Sequence, residues 1–203
     1  MKVTVIIPVY NQEQLVIRAI DSVPTNCELI VIDDGSTDDT WENLLKAREK
    51  RDFILLYNKT NQGVASAVNK GLDTATGDYI VLLGSDDYFI TENFVKAVEQ
   101  IDNEDFVYFD LQVNSGEVWR LTPQTKRTFC GATKFMRREF VGKTRAPEDV
   151  RIGSDWFFYV ELEKKKPKEK YTKLVVTHYN FPRENSLRWQ AQRKKLDKIG
   201  VNK

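Results

Sequence analysis

Glu28-Leu29-Ile30-Val31-Ile32-Asp33-Asp34-Gly35-Ser36-Thr37-Asp38 changes character halfway along, and that change decides the fold. Leu29 to Ile32 is an unbroken apolar run with no polar face to turn toward water. Such a strand is buried on both sides, as happens when helices cover both faces of a parallel sheet. The run stops at two adjacent carboxylates and an Asp-Gly-Ser turn. Ser36 or Thr37 is then placed to cap a helix reaching Arg48, on which Trp41, Leu44, Leu45 and Arg48 share a face. The same order recurs on either side. Val3–Ile7 is a strand ended by Pro8, and Glu13–Ser22 is a helix with Leu15, Val16, Ala19 and Ile20 at helical spacing. Phe53–Tyr57 precedes a helix over Gly63–Asp73. Tyr79–Leu83 precedes Gly84-Ser85-Asp86-Asp87 and a helix from Thr91 to Ile101. Strands alternating with helices of about ten residues predict βαβ units and a mostly parallel sheet.

The second half is less regular. Phe106–Val113 and Val118–Leu121, separated by Asn114-Ser115-Gly116, predict a hairpin. Asp155–Lys165 reads as a helix, Leu174–Tyr179 as a strand and Leu187–Ile199 as a basic helix. The expected fold is α/β with a small mixed or antiparallel C-terminal annex, and residues 1–203 read as one domain.

With 203 residues, 41% hydrophobic and 30% charged, the chain can bury a core without disulfides or metals. Eleven Phe, eight Tyr and four Trp argue against whole-chain disorder. No apolar run approaches the roughly 18 to 20 residues that span a bilayer. Met1–Tyr10 lacks a cleavage-site pattern. Cys27 and Cys130 make neither a disulfide framework nor a zinc site. A cytoplasmic location is the expectation. The net charge of +1 conceals an asymmetry: residues 1–100 carry nine basic and sixteen acidic side chains, and residues 101–203 carry twenty-two and fourteen. Such a division suits a front half that handles a cation and a back half that meets anions, although two solvated surfaces would look the same.

In open α/β sheets ligands bind beyond the carboxyl ends of the strands. Here those ends carry Tyr10-Asn11, Asp33-Asp34-Gly35-Ser36, Asn58 with Asn61-Gln62-Gly63, and Ser85-Asp86-Asp87. Each alone is an ordinary turn or helix cap. Delivered together to one edge, they predict a polar ligand site. Adjacent carboxylates repel unless a cation or a donor sits nearby. Hard divalent ions take one or two carboxylates plus substrate phosphates, so Asp86 and Asp87 suggest a metal–diphosphate clamp.

Val5-Ile6-Ile7-Pro8-Val9-Tyr10-Asn11, Val31 to Asp38, Asn61-Gln62-Gly63 with Asn69-Lys70-Gly71, and Gly77-Asp78-Tyr79-Ile80 with Leu82 to Asp87 resemble the family 2 glycosyltransferases, in the same order over roughly residues 2–100. Three later segments continue the resemblance: Phe129-Cys130-Gly131-Ala132, Glu148 to Trp156, and Glu184-Asn185-Ser186. The resemblance implies the GT-A fold, a Rossmann-type sheet in which residues 1–100 bind a nucleotide sugar and residues 101–203 form the acceptor side. It implies hexosyl transfer from a nucleoside-diphosphate sugar, with a UDP-sugar the expected donor, in polysaccharide or glycoconjugate synthesis. Pro8, Tyr10, Asp34, Asn61, Gly63 and Ser85 would then contact the donor nucleotide. Asp86, with Asp87 beside it, would hold Mg²⁺ or Mn²⁺ against the diphosphate. Asp155 would be the base that deprotonates the acceptor hydroxyl, with inversion. Gly131 and Trp156 would lie on the acceptor side, although ordinary core packing is the competing reading of Trp156.

Three positions depart from the family pattern. Gly84 stands where the family has the first Asp of Asp-x-Asp, Ser154 where Glu usually precedes the base, and Arg183 where a His often precedes Glu-Asn-Ser. Arg183 can fork onto phosphate oxygens directly. The lone histidine, His178, reads as a strand residue. The basic segment from Leu187 to Val201 suits either a packed terminal helix or peripheral contact with an anionic membrane face, where a lipid-linked acceptor would be met; glycan and protein acceptors are equally compatible. Nucleic acid is not an expected partner. A non-catalytic sugar-nucleotide-binding protein and a nucleotidyltransferase are the alternative readings.

Overall fold

The computed structural model describes residues 1–123, 133–150 and 153–182. In chain order the elements are β1 (Val3–Val9), α1 (Val16–Ser22), β2 (Glu28–Asp33), α2 (Thr40–Lys50), β3 (Ile54–Tyr57), α3 (Val64–Thr74), β4 (Tyr79–Leu82), β5 (Tyr88–Phe89), α4 (Thr91–Glu99), β6 (Phe106–Val113), β7 (Val118–Trp119), β8 (Lys134–Arg137), α5 (Arg138–Val141), α6 (Ser154–Glu163) and β9 (Glu169–Tyr179). The strands form one sheet in the order β3-β2-β1-β4-β8-β6-β9-β5, with β7 paired to β6. The first four are parallel. After β4 the sheet becomes mixed: β8 runs antiparallel between β4 and β6, and β6 and β9 are parallel.

The unbroken apolar runs now have their cause. On β1, Val3, Val5, Ile7 and Val9 enter one core, shared with Val16, Ala19 and Ile20 of α1, Leu44 of α2 and Phe94 of α4. Ile6, with Ile30, Ile32, Ile80 and Leu82, enters the opposite core beneath α3 and α6. A strand facing helices on both sides has few positions for a polar residue. Each such side chain contributes about 1.5–3 kcal/mol through burial.

The predicted hairpin is present, with Leu111 opposite Trp119. Two strands were not predicted. β5 has two residues, and β8 reads Lys-Phe-Met-Arg, too short and too charged at its ends for periodicity to reveal. β9 starts at Glu169 rather than Leu174, because parallel pairing to β6 carries polar residues into the sheet. α1 starts at Val16, since Gln12 to Leu15 form a turn in which the Leu15 and Val16 N–H groups both donate to the Gln12 carbonyl. Ser36 and Thr37 do not cap α2, which starts at Thr40 without a side-chain cap, and Leu45 faces solvent. The predicted basic helix over 187–199 lies outside the described residues. Among the described residues, no helix is long and apolar enough to cross a membrane.

Candidate active site

The parallel ladder continues just past the strands. The Asp34 N–H donates to the Val9 carbonyl at 2.8 Å, that of Asn58 to the Asp33 carbonyl at 2.8 Å, and that of Leu83 to the Ile6 carbonyl at 2.9 Å. These bonds bring the four polar strand ends side by side along one edge, as the sequence predicts.

Ser36 and Thr37 stitch this edge together instead of capping a helix. Ser36 donates its N–H (3.2 Å) and its hydroxyl (2.5 Å) to Asp33 Oδ1, and its Oγ accepts the Asn11 N–H at 3.0 Å. The Thr37 N–H donates to Asn11 Oδ1 at 2.8 Å. Asn11 adopts φ +50°, a left-handed conformation that asparagine tolerates well. Burial pushes the Asp33 carboxyl above its usual range despite the Ser36 bonds, and the Asp38 and Asp34 carboxylates push it further.

Asp34 is 3% exposed, and its carboxylate organises the next loop. Oδ1 accepts Asn58 Nδ2 at 2.8 Å and the Gln62 N–H at 3.0 Å, while Oδ2 accepts the Gly63 N–H at 2.8 Å. Gly35 lets the two loops touch: its φ is +73°, and a β-carbon there would lie 2.7 Å from the Thr60 carbonyl carbon. Behind them, the Lys70 ammonium donates to Asn58 Oδ1 at 2.6 Å and to the Tyr57 carbonyl at 2.8 Å. Pro8 is half-buried, Tyr10 and Asn61 are exposed, and Ser85 is buried.

After β4 comes the loop that carries Asp87. This side chain is 4% exposed and turns inward, its Oδ1 accepting the Asn180 N–H at 2.8 Å. That bond tethers the end of β9. Asp86 is half-buried, and its carbonyl accepts Arg18 Nη2 at 3.0 Å. The Arg18 guanidinium lies 4.5 Å over the Tyr88 ring, which stacks on His178 at 4.6 Å. Burial, with Arg18 adding to it, holds the His178 imidazole below its usual pKa, and its strand position in β9 matches expectation. Among the described residues, no group of three or more His, Cys, Asp and Glu could hold a metal by itself. An ion at this loop would need the Asp86 carboxylate together with oxygens from a bound diphosphate.

The segment ahead of α6 is joined to α3. Asn69 Oδ1 accepts the Ala146 N–H at 2.8 Å, and its Nδ2 donates to the Ala146 carbonyl and to Glu148 Oε1, each at 2.9 Å. A cavity of about 230 Å³ lies between Asn61, Gln62, Gly63 and Ala65 on one side and Glu148 and Val150 on the other. A larger one, about 520 Å³ and lined by Asp78, Arg137 and Arg138, lies toward the N-terminal end of β4, away from these carboxylates. Asp155 is half-buried in the first turn of α6. Trp156 and Phe157 beside it are each 43% exposed, their rings 4.7 Å apart, so the core-packing reading of Trp156 gives way to an open aromatic pair. Under α6, Lys134 is 4% exposed, with its Nζ 3.5 Å from the Tyr159 ring centroid. Burial pushes its ammonium pKa down to about 8, against the pull of Glu163, Asp155 and Glu169. Gly131 and Arg183 lie outside the described residues.

Sequence reasoning missed Arg18, Lys70 and Lys134 as parts of this region. Lys70 sat inside the quoted Asn-Lys-Gly motif, which was the available signal. Arg18 and Lys134 carried none.

Comparisons with known proteins agree with this architecture. An uncharacterized glycosyltransferase of Rickettsia bellii is 40% identical over 186 residues, covering 79% of this chain and 26% of its own length. The chain thus spans about a quarter of that relative. TarS 1-349 of S. aureus in complex with UDP-GlcNAc superposes with a TM-score of 0.79 at 23% identity, over 92% of this chain and 60% of that one. The mannosyltransferase PcManGT of Pyrobaculum calidifontis, in complex with GDP-Man and Mn²⁺, gives a TM-score of 0.73 at 20% identity, over 94% and 60%. These likenesses establish the GT-A fold. The model of the family "Glycosyl transferase family 2" matches residues 4–165, and the chain belongs to that family.

Proposed function

We propose that this chain transfers a hexosyl group from a nucleoside-diphosphate sugar, a UDP-sugar foremost, to an acceptor hydroxyl with inversion at the anomeric carbon. The observation that carries the reading is the convergence of β1, β2, β3 and β4 on one edge, where Asp34 organises the 58–63 loop of a family 2 chain. In the reaction the acceptor oxygen forms a bond to the anomeric carbon as the bond from that carbon to the diphosphate oxygen breaks. The diphosphate leaves with the electron pair, and the acceptor proton passes to the Asp155 carboxylate. Positioned proton transfer of this kind contributes roughly 10²–10⁴-fold. Pro8, Tyr10 and the Asp34-bound loop hold the nucleoside. Asp86 would hold Mg²⁺ or Mn²⁺, which offsets charge on the departing diphosphate. Trp156 offers an exposed ring on which an acceptor sugar can stack. The UDP-GlcNAc in TarS supports the donor class, and the Mn²⁺ in PcManGT supports the metal. We read the location as cytoplasmic, with the basic residues beyond Leu187 meeting an anionic membrane face if the acceptor is lipid-linked.

Calorimetric titration with UDP, GDP and dTDP, each with and without Mn²⁺, tests the reading. UDP binding strengthened by Mn²⁺ is expected. The Asp155→Asn variant should keep that affinity and lose donor turnover by about 10²–10⁴-fold. Unchanged turnover in Asp155→Asn would remove its role as base, and no binding of any of the three nucleotides would overturn the donor class.

A further inference from the structure

We propose that Lys70 is a positioning residue for the donor nucleotide, acting through Asn58 to set which way the Asp34 carboxylate is presented; this rests on the function proposed above. The argument starts from the symmetry of an asparagine side chain. Its oxygen and its nitrogen have nearly the same shape, so packing alone does not decide which end faces a neighbour. Asp34 can only accept hydrogen bonds. If Asn58 turned its oxygen toward Asp34, two acceptors would meet at 2.8 Å in a buried site. Asn58 is 6% exposed and Asp34 3%, so water is poorly placed to relieve that contact.

Lys70 removes the choice. An ammonium only donates, and this one lies 2.6 Å from Asn58 Oδ1. It therefore holds the oxygen end toward α3 and turns the amide nitrogen toward Asp34. A second bond from the same ammonium to the Tyr57 carbonyl, at 2.8 Å, fixes the lysine over the end of β3. The Asn58 N–H is itself held by the Asp33 carbonyl at 2.8 Å, so the amide cannot drift as a whole. With Asn58 so oriented, the Asp34 carboxylate spans the gap to the Gln62 and Gly63 N–H groups. Those two residues line the 230 Å³ cavity. The order of control runs from Lys70 to Asn58 to Asp34 to the 62–63 backbone. Ordering a lysine costs side-chain entropy. That cost is offset here by two charge-assisted bonds at a strand end, where a surface lysine would ordinarily stay solvated.

Two variants of nearly equal shape separate this role from simple packing. In Lys70→Gln the amide nitrogen can still donate to Asn58 Oδ1. In Lys70→Glu only acceptors face Asn58 Oδ1, so the contact that holds its oxygen away from Asp34 becomes repulsive and competes with Asp34 for the amide nitrogen. Using the full chain, the dissociation constant for whichever of UDP, GDP or dTDP the wild type binds would be measured for both variants and for Lys70→Arg. Lys70→Arg and Lys70→Gln should stay within about threefold of wild type, and Lys70→Glu should bind about tenfold or more weakly, as expected for reversing one charge-assisted contact. In turnover the change should appear in the donor KM, with kcat within about twofold. Should Lys70→Glu fail to fold, the double-mutant cycle of Lys70→Met with Asn58→Ala takes its place. Non-additive losses support the relay, and additive losses overturn it. Equal binding by Lys70→Glu and Lys70→Gln overturns the relay while leaving the nucleotide site intact. Failure of the wild type to bind any of the three nucleotides removes the donor reading first and the relay with it.

Discussion

Gly84 and Asp87 illustrate how one side chain's direction settles the identity of its neighbour. A β-carbon on Gly84 would lie 2.6 Å from Asp87 Oδ2 and 3.1 Å from Asp86 Oδ1. Asp87 is held in that position by the Asn180 N–H, so the space that an aspartate at position 84 would need is already filled. Gly84→Ala should force Asp87 off Asn180 and leave a half-buried donor without that partner, at about 1 kcal/mol in a denaturant melt. An unchanged midpoint would mean that Asp87 relaxes without losing its tether. Lys134 poses the opposite problem, a charge in an apolar place. Its folded pKa, about 8, is depressed below the ordinary lysine value of 10.5, so the unfolded chain binds the proton more tightly. The penalty is therefore fully present below pH 8 and fades as pH rises from about 8 toward 10.5. Lys134→Met should raise the melting temperature at pH 7, since replacing a buried ion by an apolar group of similar volume is neutral to stabilising by about 1–4 kcal/mol. The gain should shrink when both proteins are melted at pH 10. A lower melting temperature for Lys134→Met at pH 7 would show that the contacts with Tyr159, Tyr108 and Phe106 outweigh the desolvation.

At the scale of elements, the end of the sheet remote from the site is fastened by Glu28. Its carboxylate accepts the Lys2 ammonium at 2.9 Å, the Thr4 hydroxyl at 2.6 Å, the Thr76 N–H at 2.7 Å and the Thr76 hydroxyl, so β1, β2 and the approach to β4 meet on one side chain. Burial alone would raise its pKa, but these bonds outweigh burial and hold it down to about 2 from 4.5. The stability this adds is present above about pH 4.5 and is lost as pH falls toward 2. Glu28→Gln should be less stable at pH 7 and should flatten the decline of the melting temperature between pH 4.5 and 2. Parallel acid curves for the two proteins would sink this account. Elements also set the limit of what could be read in advance. The parallel half was legible because a strand buried on both faces must be apolar throughout, as in Leu29–Ile32. β8 was not, since its Lys134 and Arg137 disguise a four-residue strand whose position depends on β4 and β6. The strand-end polar residues were likewise legible as a group. The inward turn of Asp87 was not, because its partner Asn180 lies 93 residues away in sequence. Nor was the role of Lys70, since a lysine on a helix looks the same whether solvated or locked to a strand end.

Across the whole molecule, the numerical division at residue 100 is a division of charge, and the sheet runs straight through it. β8 lies between β4 from the first half and β6 from the second, pairing Ile80 with Met136 and Phe106 with Met136. Asn69 on α3 likewise grips Ala146 and Glu148 ahead of α6. The polar strand-end edge and the approach to Asp155 are therefore parts of one packed body. The position of β8 also has a consequence during synthesis. About fifty residues separate the end of β4 from β8. At ~5–20 residues per second, a ribosome needs on the order of 3–10 s to supply them. Throughout that interval the nascent chain carries β4, Tyr-Ile-Val-Leu, as an open, apolar strand edge. Chaperones that cover such edges would meet this chain at that point of its translation, before the strand that closes it has been made.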